Sequence, residues 1–370
     1  MSVTLKELLK DAFSFEPRSV CLSFEGRNLL IGTSSGQIYD VENKDTKLSH
    51  LVKNSIIKCV VEGHFSPNTK TNNETWGLTV FPDNERFITA GDDAILRIWS
   101  IPEKKMLETI DLNYDFEGKK LQIDQQTHDI AFVSRATSMD VSQNNRYIAI
   151  GCRNGSVRVI TINGEMFKFT HLFQVCKEQI SVVKFSPNND SLAIGAHDSV
   201  IYIYSVPEFR KKFVMRKHSS YITQLDWSLN GNALQSNCAG QELIYWDTTI
   251  GKACFNSANR FRDEQWTNWS CVYGWPVQNI WNNNYNGNDI GTVDRNYKKH
   301  PGNYNVLAVG DDYSNVKLFR FPVVGKNPEF HELKGHSSFL TQVKWMKDDS
   351  HLISIGGEDN CIIVWNVKNI

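Results

Sequence analysis

The stretch HLISIGGEDNCIIVWNV, residues 351–367, sets two apolar runs on either side of a Gly-Gly-Glu-Asp turn and carries Trp365 near its end. His336 lies upstream, so a histidine, Ser354 and Asp359 stand within one unit and invite a catalytic reading. Recurrence argues for another. RFITAGDDAILRIW ends at Trp99, YIAIGCRNGSVRVI at Ile160 and SLAIGAHDSVIYIY at Tyr204. ALQSNCAGQELIYW ends at Trp246, VLAVGDDYSNVKLF at Phe319 and LLIGTSSGQIY at Tyr39, which with Trp365 makes seven copies. Before each lies a second short run, namely VCLSF, WGLTVF, ATSMDV, SVVKF, ITQLDW, WSCVYGW and TQVKW. Self-similarity at this period is the signature of a propeller or solenoid.

Each copy reads as strand, turn, strand, tight turn, strand, with an outer strand in the connector (SIIKCVV, FRKKFVM, FHEL). Inner runs such as CIIVW are apolar on both faces, as strands covered on both sides must be. Long helical periodicity is missing. The expected fold is all-β: one seven-bladed β-propeller spanning 1–370, its blades four-stranded and antiparallel. The chain ends too soon after Trp365 for a last outer strand, so residues 3–9 (VTLKELL) are expected to supply it and close the ring. A short N-terminal helix is the competing reading of those residues. Three polar stretches read as surface excursions: FSPNTKTNNE after His64, DFEGKKLQIDQQTHD, and NNNYNGNDIGTVDRNYKKHPGNYN.

Composition narrows function. The 370 residues are 41% hydrophobic and 22% charged, with a formal net charge of −1, so no global field draws the chain to nucleic acid or an anionic membrane. No apolar run approaches a bilayer-spanning length, and the first residues lack a signal-peptide core. None of the eight cysteines forms a CxxC pair, so they read as small core residues of a reducing, cytoplasmic compartment, with neither metal nor cofactor expected.

Gly-His opens the unit at His64 and His336, an aspartate precedes the closing tryptophan by six residues, and YWD ends one copy. This resembles the WD-repeat family, where His, Ser or Thr, Asp and Trp form a buried hydrogen-bond chain within a blade. The resemblance implies a full set in His64, Thr89, Asp93 and Trp99. In the last unit it implies His336, Asp359 and Trp365, with the hydroxyl position falling on Ile355 and Ser354 one residue off. The fifth unit keeps His218, Ser236 and Trp246 but has Gly240 for the aspartate. A triad nucleophile needs an exposed turn and an oxyanion hole, and Ser354 sits in a strand with neither. These residues are read as struts, and the chain as no enzyme; no phosphate loop, zinc spacing or nucleophile elbow appears.

KHSSYITQLDWS, ELIYWD, DEQWTNWSCVYGWPVQNIW and GNDIGTVDR, with PRSVCLSF and ETWGLTVFP earlier, are similar to the C-terminal propeller of the echinoderm microtubule-associated protein-like family, over about residues 17–367. The resemblance implies a non-enzymatic interaction scaffold of the cytoskeleton, partnered by tubulin, microtubules or other proteins and by a companion propeller in a longer chain. The alternative is an adaptor that recognises a peptide or protein without touching tubulin. Contact positions recurrent in WD-repeat proteins map onto Arg135, Tyr221, Trp269 and Phe339 before the first strands, and onto Asp92, Arg153, His197, Asp311 and Glu358 in the inner turns. Two basic clusters, containing Lys211 and Lys212 and Lys298 and Lys299, could meet acidic tubulin tails.

Overall fold

A computed structural model describes residues 17–22, 28–33, 38–42, 56–61, 63–64, 74–114, 135–255, 260–281, 289–299 and 304–367. Its strands fall into seven antiparallel sheets. The first holds β1 (Pro17–Leu22), β2 (Asn28–Thr33), β3 (Ile38–Glu42) and β4 (Ile56–Val61). The second holds β5 (Thr75–Val80), β6 (Arg86–Gly91), β7 (Ile95–Ser100) and β8 (Lys105–Asp111). The third runs through β9 (Ala136–Val141), β10 (Tyr147–Cys152), β11 (Ser156–Asn163) and β12 (Met166–Gln174), the fourth through β13 (Ile180–Phe185), β14 (Ser191–Ala196), β15 (Val200–Ser205) and β16 (Lys211–Arg216). The fifth comprises β17 (Ile222–Trp227), β18 (Ala233–Cys238), β19 (Leu243–Asp247) and β20 (Lys252–Ala253). The sixth comprises β21 (Ile290–Arg295), β22 (Asn305–Asp311), β23 (Asn315–Phe321) and β24 (Phe330–Lys334), and the last β25 (Leu340–Trp345), β26 (His351–Gly356) and β27 (Ile362–Asn366).

The burial pattern follows from stacking these sheets. In the fourth, β14 is buried at every position because sheets cover both its faces, whereas outer β16 exposes Lys211 and Lys212 and so carries charge along an edge that would otherwise pair with another chain. The turn between first and second strands recurs with a left-handed residue at Asn84, Asn145, Asn189, Gly231 and Asp349, residue types that tolerate positive φ at little cost.

Adjacent sheets are joined at the inner strands, each of which is an edge strand with one unpaired side. Phe185 N–H donates to Asp140 across 2.8 Å, and Trp345 N–H to Asp294 across 2.9 Å. Thr137 and Ser181 hydroxyls donate to the Ile180 and Ile222 carbonyls, the first residues of the next inner strands. The same bond runs from Thr341 Oγ1 to the Thr75 carbonyl at 2.6 Å, and Thr75 N–H reaches the Gly357 carbonyl at 3.3 Å. So the last sheet packs directly on the second.

On this point the structure departs from the expected closure. The sheet ending near Tyr39 does not stand between β25 and β5, but meets its neighbour through the outer strands β4 and β8. Residues 3–9, assigned above to ring closure, lie outside the described residues; among those described, the last sheet has three strands.

A second departure lies between the fifth and sixth sheets. WSCVYGW was read as an inner strand, but the inner strand is Ile290–Arg295, inside the stretch read as a polar excursion. The segment around WSCVYGW is a wedge with no strand of its own. Ser270 and Cys271 N–H groups donate to Asp226 at 2.9 and 3.1 Å, Arg295 N–H donates to the Trp269 carbonyl at 3.2 Å, and Asn268 Nδ2 to Asp294 at 2.9 Å. Phe261, Trp266, Trp269, Val277 and Ile280 fill the space against Val293, Leu307 and Phe319. The wedge bulk replaces what a further sheet would fill, and its amides bind the preceding aspartate as an inner strand would.

Asp226 therefore tests the joint. It also accepts from Ser270 Oγ at 2.6 Å and Gln235 Nε2 at 3.1 Å, so Asp226→Ala leaves several buried donors unpaired. Urea unfolding should show a loss of about 3 kcal/mol or more, with the midpoint lowered and the slope unchanged.

Candidate functional site

Three sets of polar side chains compete for the role of functional site: struts within sheets, a charged belt around the axis, and the rim of turns at one end. The struts are built by cross-strand pairing. His64 Nδ1 lies 2.9 Å from Asp93, His64 Nε2 2.9 Å from Thr89 Oγ1, and Trp99 Nε1–H donates to Thr89 Oγ1 at 2.8 Å. Arg97 adds an ion pair to Asp93 at 2.5 Å. Burial alone would raise the Asp93 carboxyl, but the His64 ring and Arg97 guanidinium outweigh it and hold it at about 2. These side chains satisfy one another, and Arg97 also donates to the Gly63 carbonyl at 2.8 Å.

The last unit corrects the expected hydroxyl position. Ser354, not Ile355, completes its set: His336 Nε2 is 2.7 Å from Ser354 Oγ, which accepts from Trp365 Nε1 at 2.8 Å, while His336 Nδ1 is 3.1 Å from Asp359. The reason is turn length. Ala90 pairs with Leu96 in the second sheet but Ile355 pairs with Ile362 in the last, so one extra turn residue displaces a position counted back from the tryptophan. The fifth unit is corrected too. Glu242 replaces the carboxylate missing at Gly240, lying 3.2 Å from His218 Nδ1, while His218 Nε2 and Trp246 Nε1 meet Ser236 Oγ at 2.6 and 2.7 Å.

The belt could not be seen in the sequence. Asp140, Lys184, Asp226, Asp294 and Lys344 occupy the same register of successive inner strands, and all of them but Asp294, with Tyr297 and Lys347, line an axial cavity of about 420 Å³. Carboxylates meeting at one depth are what a channel enzyme would require. Here they are engaged: Asp226 and Asp294 hold backbone amides across the joints, and Lys344 Nζ bonds Asp294 at 2.9 Å. Burial pulls the Lys344 ammonium below its usual range, against the pull of Asp294.

The rim is left to meet a partner. A backbone bond fixes it in each of the six joined sheets: the residue after β6, β10, β14, β18, β22 or β26 donates its N–H to the carbonyl of the residue preceding the inner strand. The pairs are Asp92 with Glu74, Arg153 with Arg135, His197 with Gln179, Ala239 with Tyr221, Asp312 with Asp289 and Gly357 with Phe339, at 2.8 to 2.9 Å. This frame sorts the expected contact residues. Tyr221 is 41% exposed and stacks on His197 with ring centroids 4.4 Å apart. Phe339 is half-buried and packs on Trp76, Arg153 is partly open, and Glu358 is exposed. Burial lowers the His197 pKa, aided by Arg153, which favours a neutral ring.

Four expected contacts are corrected. Trp269 is 3% exposed in the wedge core. Arg135 and Asp92 are buried against each other at 4.0 Å. Asp311 is fully buried, with Lys317 at 3.0 Å; Asp312 holds the rim position. The sequence reading missed Glu74, Gln179 and Asp289, which the repeat's spacing could have supplied once Ile290–Arg295 was aligned as an inner strand. Lys211, Lys212, Lys298 and Lys299 are exposed at the opposite end, where Lys211 lies over the Tyr202 ring at 5.2 Å.

A family model described as "Echinoderm microtubule-associated protein second beta-propeller" matches residues 75–367, beginning at the first residue of β5. A second, "WD domain, G-beta repeat", matches residues 47–100. The chain is 33% identical over 322 residues to human "Echinoderm microtubule-associated protein-like 3", covering 85% of this chain and 33% of that protein. It is 32% identical over 330 residues to human "Echinoderm microtubule-associated protein-like 1" (87% and 37%), and 32% over 320 residues to the "77 kDa echinoderm microtubule-associated protein" of Lytechinus variegatus (85% and 44%). The chain thus spans between about a third and under half of these relatives' lengths.

Two outcomes test the struts. Asp93 titrates near 2 when folded, below the roughly 3.9 of an unfolded aspartate, so its contribution of about 2 kcal/mol is complete above pH ~5 and is lost as pH falls toward 2. Asp93→Asn should be less stable at pH 7 and show a shallower acid loss in denaturant titrations. Ser354→Ala should cost about 1–3 kcal/mol, more than Ile355→Val, in thermal unfolding.

Proposed function

The chain belongs to the echinoderm microtubule-associated protein family, and from that premise we propose that it is a non-enzymatic docking module contributing to the binding of tubulin, microtubules or a regulatory protein. The observation that carries this reading is the stack of exposed Tyr221 on half-buried His197, beside Arg153 on a rim whose backbone is fixed by repeated hydrogen bonds. Tyrosine and arginine on a rigid frame are the types that dominate binding energy, because little conformational entropy is lost on contact. The histidines and carboxylates that would serve hydrolysis or lyase chemistry are bonded to one another or to backbone amides. The electrostatic part of the proposal rests on Lys298 and Lys299, with Lys211 and Lys212, at the other end, where acidic tubulin tails would be attracted.

Co-sedimentation with microtubules and pull-down of soluble tubulin separate the parts. Tyr221→Ala with His197→Ala should weaken partner binding by roughly tenfold or more without shifting the unfolding midpoint greatly. Lys298→Glu with Lys299→Glu, and separately Lys211→Glu with Lys212→Glu, should reduce tubulin binding at low salt and leave a smaller deficit at high salt. Binding that none of these changes alters removes both surfaces. A stoichiometric non-tubulin partner retained by the wild type and lost with Tyr221→Ala, in the absence of tubulin binding, moves the assignment to the adaptor reading.

A further inference from the structure

The fifth sheet carries a group with no counterpart in the other struts. His218 Nδ1, Cys238 Sγ and a Glu242 carboxylate oxygen lie within 4.8 Å of one another, and among the described residues this is the one such cluster of three. Glu242 Oε2 is 3.2 Å from His218 Nδ1, 3.2 Å from Cys238 Sγ and 3.0 Å from the Ser219 N–H. We propose that these three side chains form a binding site for a single zinc-class divalent ion, closed by one water on the solvent side.

The donor set fits. Imidazole, thiolate and carboxylate are the ligands of a borderline cation, and three protein ligands with one open position are a recurring zinc arrangement. With metal–ligand bonds of about 2.0–2.3 Å, ligand atoms of a tetrahedral site stand roughly 3.2–3.8 Å apart. The observed separations from Glu242 already fall there, so a small pivot of the carboxylate admits the ion. Glu242 can make that pivot because its side chain is 36% exposed, whereas the carboxylates facing His64 and His336 are 1% and 4% exposed. Cys238 follows the strut serine by two residues, and its counterpart after Thr89 is Gly91, which offers no ligand.

The ring proton also has somewhere to go. To bind through Nδ1, His218 must carry its proton on Nε2 and donate to Ser236 Oγ. Ser236 then turns its own hydroxyl proton to the Ile244 carbonyl, 3.3 Å away, while still accepting from Trp246. The strut survives with one bond reversed, and the only proton released is that of the thiol. The absence of a CxxC pair does not bear on this site, since its ligands come from a connector, the end of β18 and the residue before β19.

Zinc titration of the reduced, chelator-stripped protein by calorimetry tests the proposal, with cobalt as a spectroscopic probe. One equivalent should bind, cobalt should give a thiolate charge-transfer band, and the unfolding temperature should rise with zinc. Cys238→Ala leaves the His218–Ser236–Trp246 bonds untouched and folds independently of metal; it should lower affinity by roughly a hundredfold, beyond most second-shell effects, and abolish the band. Glu242→Gln, which can still accept from His218, should weaken binding too. Cys361→Ala, at an exposed cysteine, should change nothing. Equal zinc affinity in wild type and Cys238→Ala, or wild-type cobalt spectra without thiolate character, overturns the assignment.

Discussion

The structure depends on what happens at the inner edge of each sheet. A four-stranded sheet has two edges, and the inner one faces its neighbour with a row of unpaired amides and carbonyls buried from water. Leaving them unpaired would cost several kcal/mol per joint. The solution is a side chain from the preceding inner strand: Asp140 for Phe185, Asp226 for Ser270 and Cys271, Asp294 for Trp345, with Thr137, Ser181 and Thr341 serving the carbonyls. The joint is thus a side-chain-to-backbone ladder, and its regularity lets a wedge without a sheet stand in the circle. What the ladder demands is an extended segment at the right depth, and Ser270–Cys271 supplies one.

This demand also explains the belt of charge around the axis. Aspartates placed to reach amides of the next strand necessarily converge near the axis, and like charges gathered in a narrow cavity raise one another's energy. Lys184 and Lys344 at the same register offset that, Lys344 by direct contact with Asp294. A cluster that resembles a catalytic constellation by composition is here a consequence of closing the ring. Geometry separates the two readings, because every carboxylate of the joints points along the circumference to a backbone amide.

The repeat, the seven sheets and most strand positions were legible in the sequence because strand-turn-strand units leave a periodic apolar trace. Legibility failed where a feature is set by cross-strand pairing and not by counting. Ser354 was misjudged by one residue, since a turn that gains a residue shifts every number beyond it while the pairing partner stays put; Asp312 was passed over for its neighbour Asp311 although its turn has the same length as that of the second sheet. Glu242 was missed because a longer side chain two residues on performs the task of an absent aspartate. Ile290–Arg295 was hidden in Asn- and Gly-rich surroundings, and Trp269 looked exposed because aromatic residues before inner strands form the rim elsewhere. Each miss but Asp312 is a case of tertiary pairing overriding local count.

The same turn governs both burial and exposure, and this links the scaffold to its surface. In each unit the N–H following the second strand is fixed to the carbonyl preceding the first, so two side chains per sheet are placed side by side at the rim. Across a joint, rim residues of neighbouring sheets also meet: Asp92 and Arg135 carry opposite charge and are both buried. When the pair within a sheet is Ala239 with Tyr221, the small partner leaves the ring room to lie over His197 of the adjacent sheet. Recognition capacity therefore resides in which residue pairs the frame holds, and a change of two side chains per sheet can re-aim the rim while the ladder beneath it stays intact.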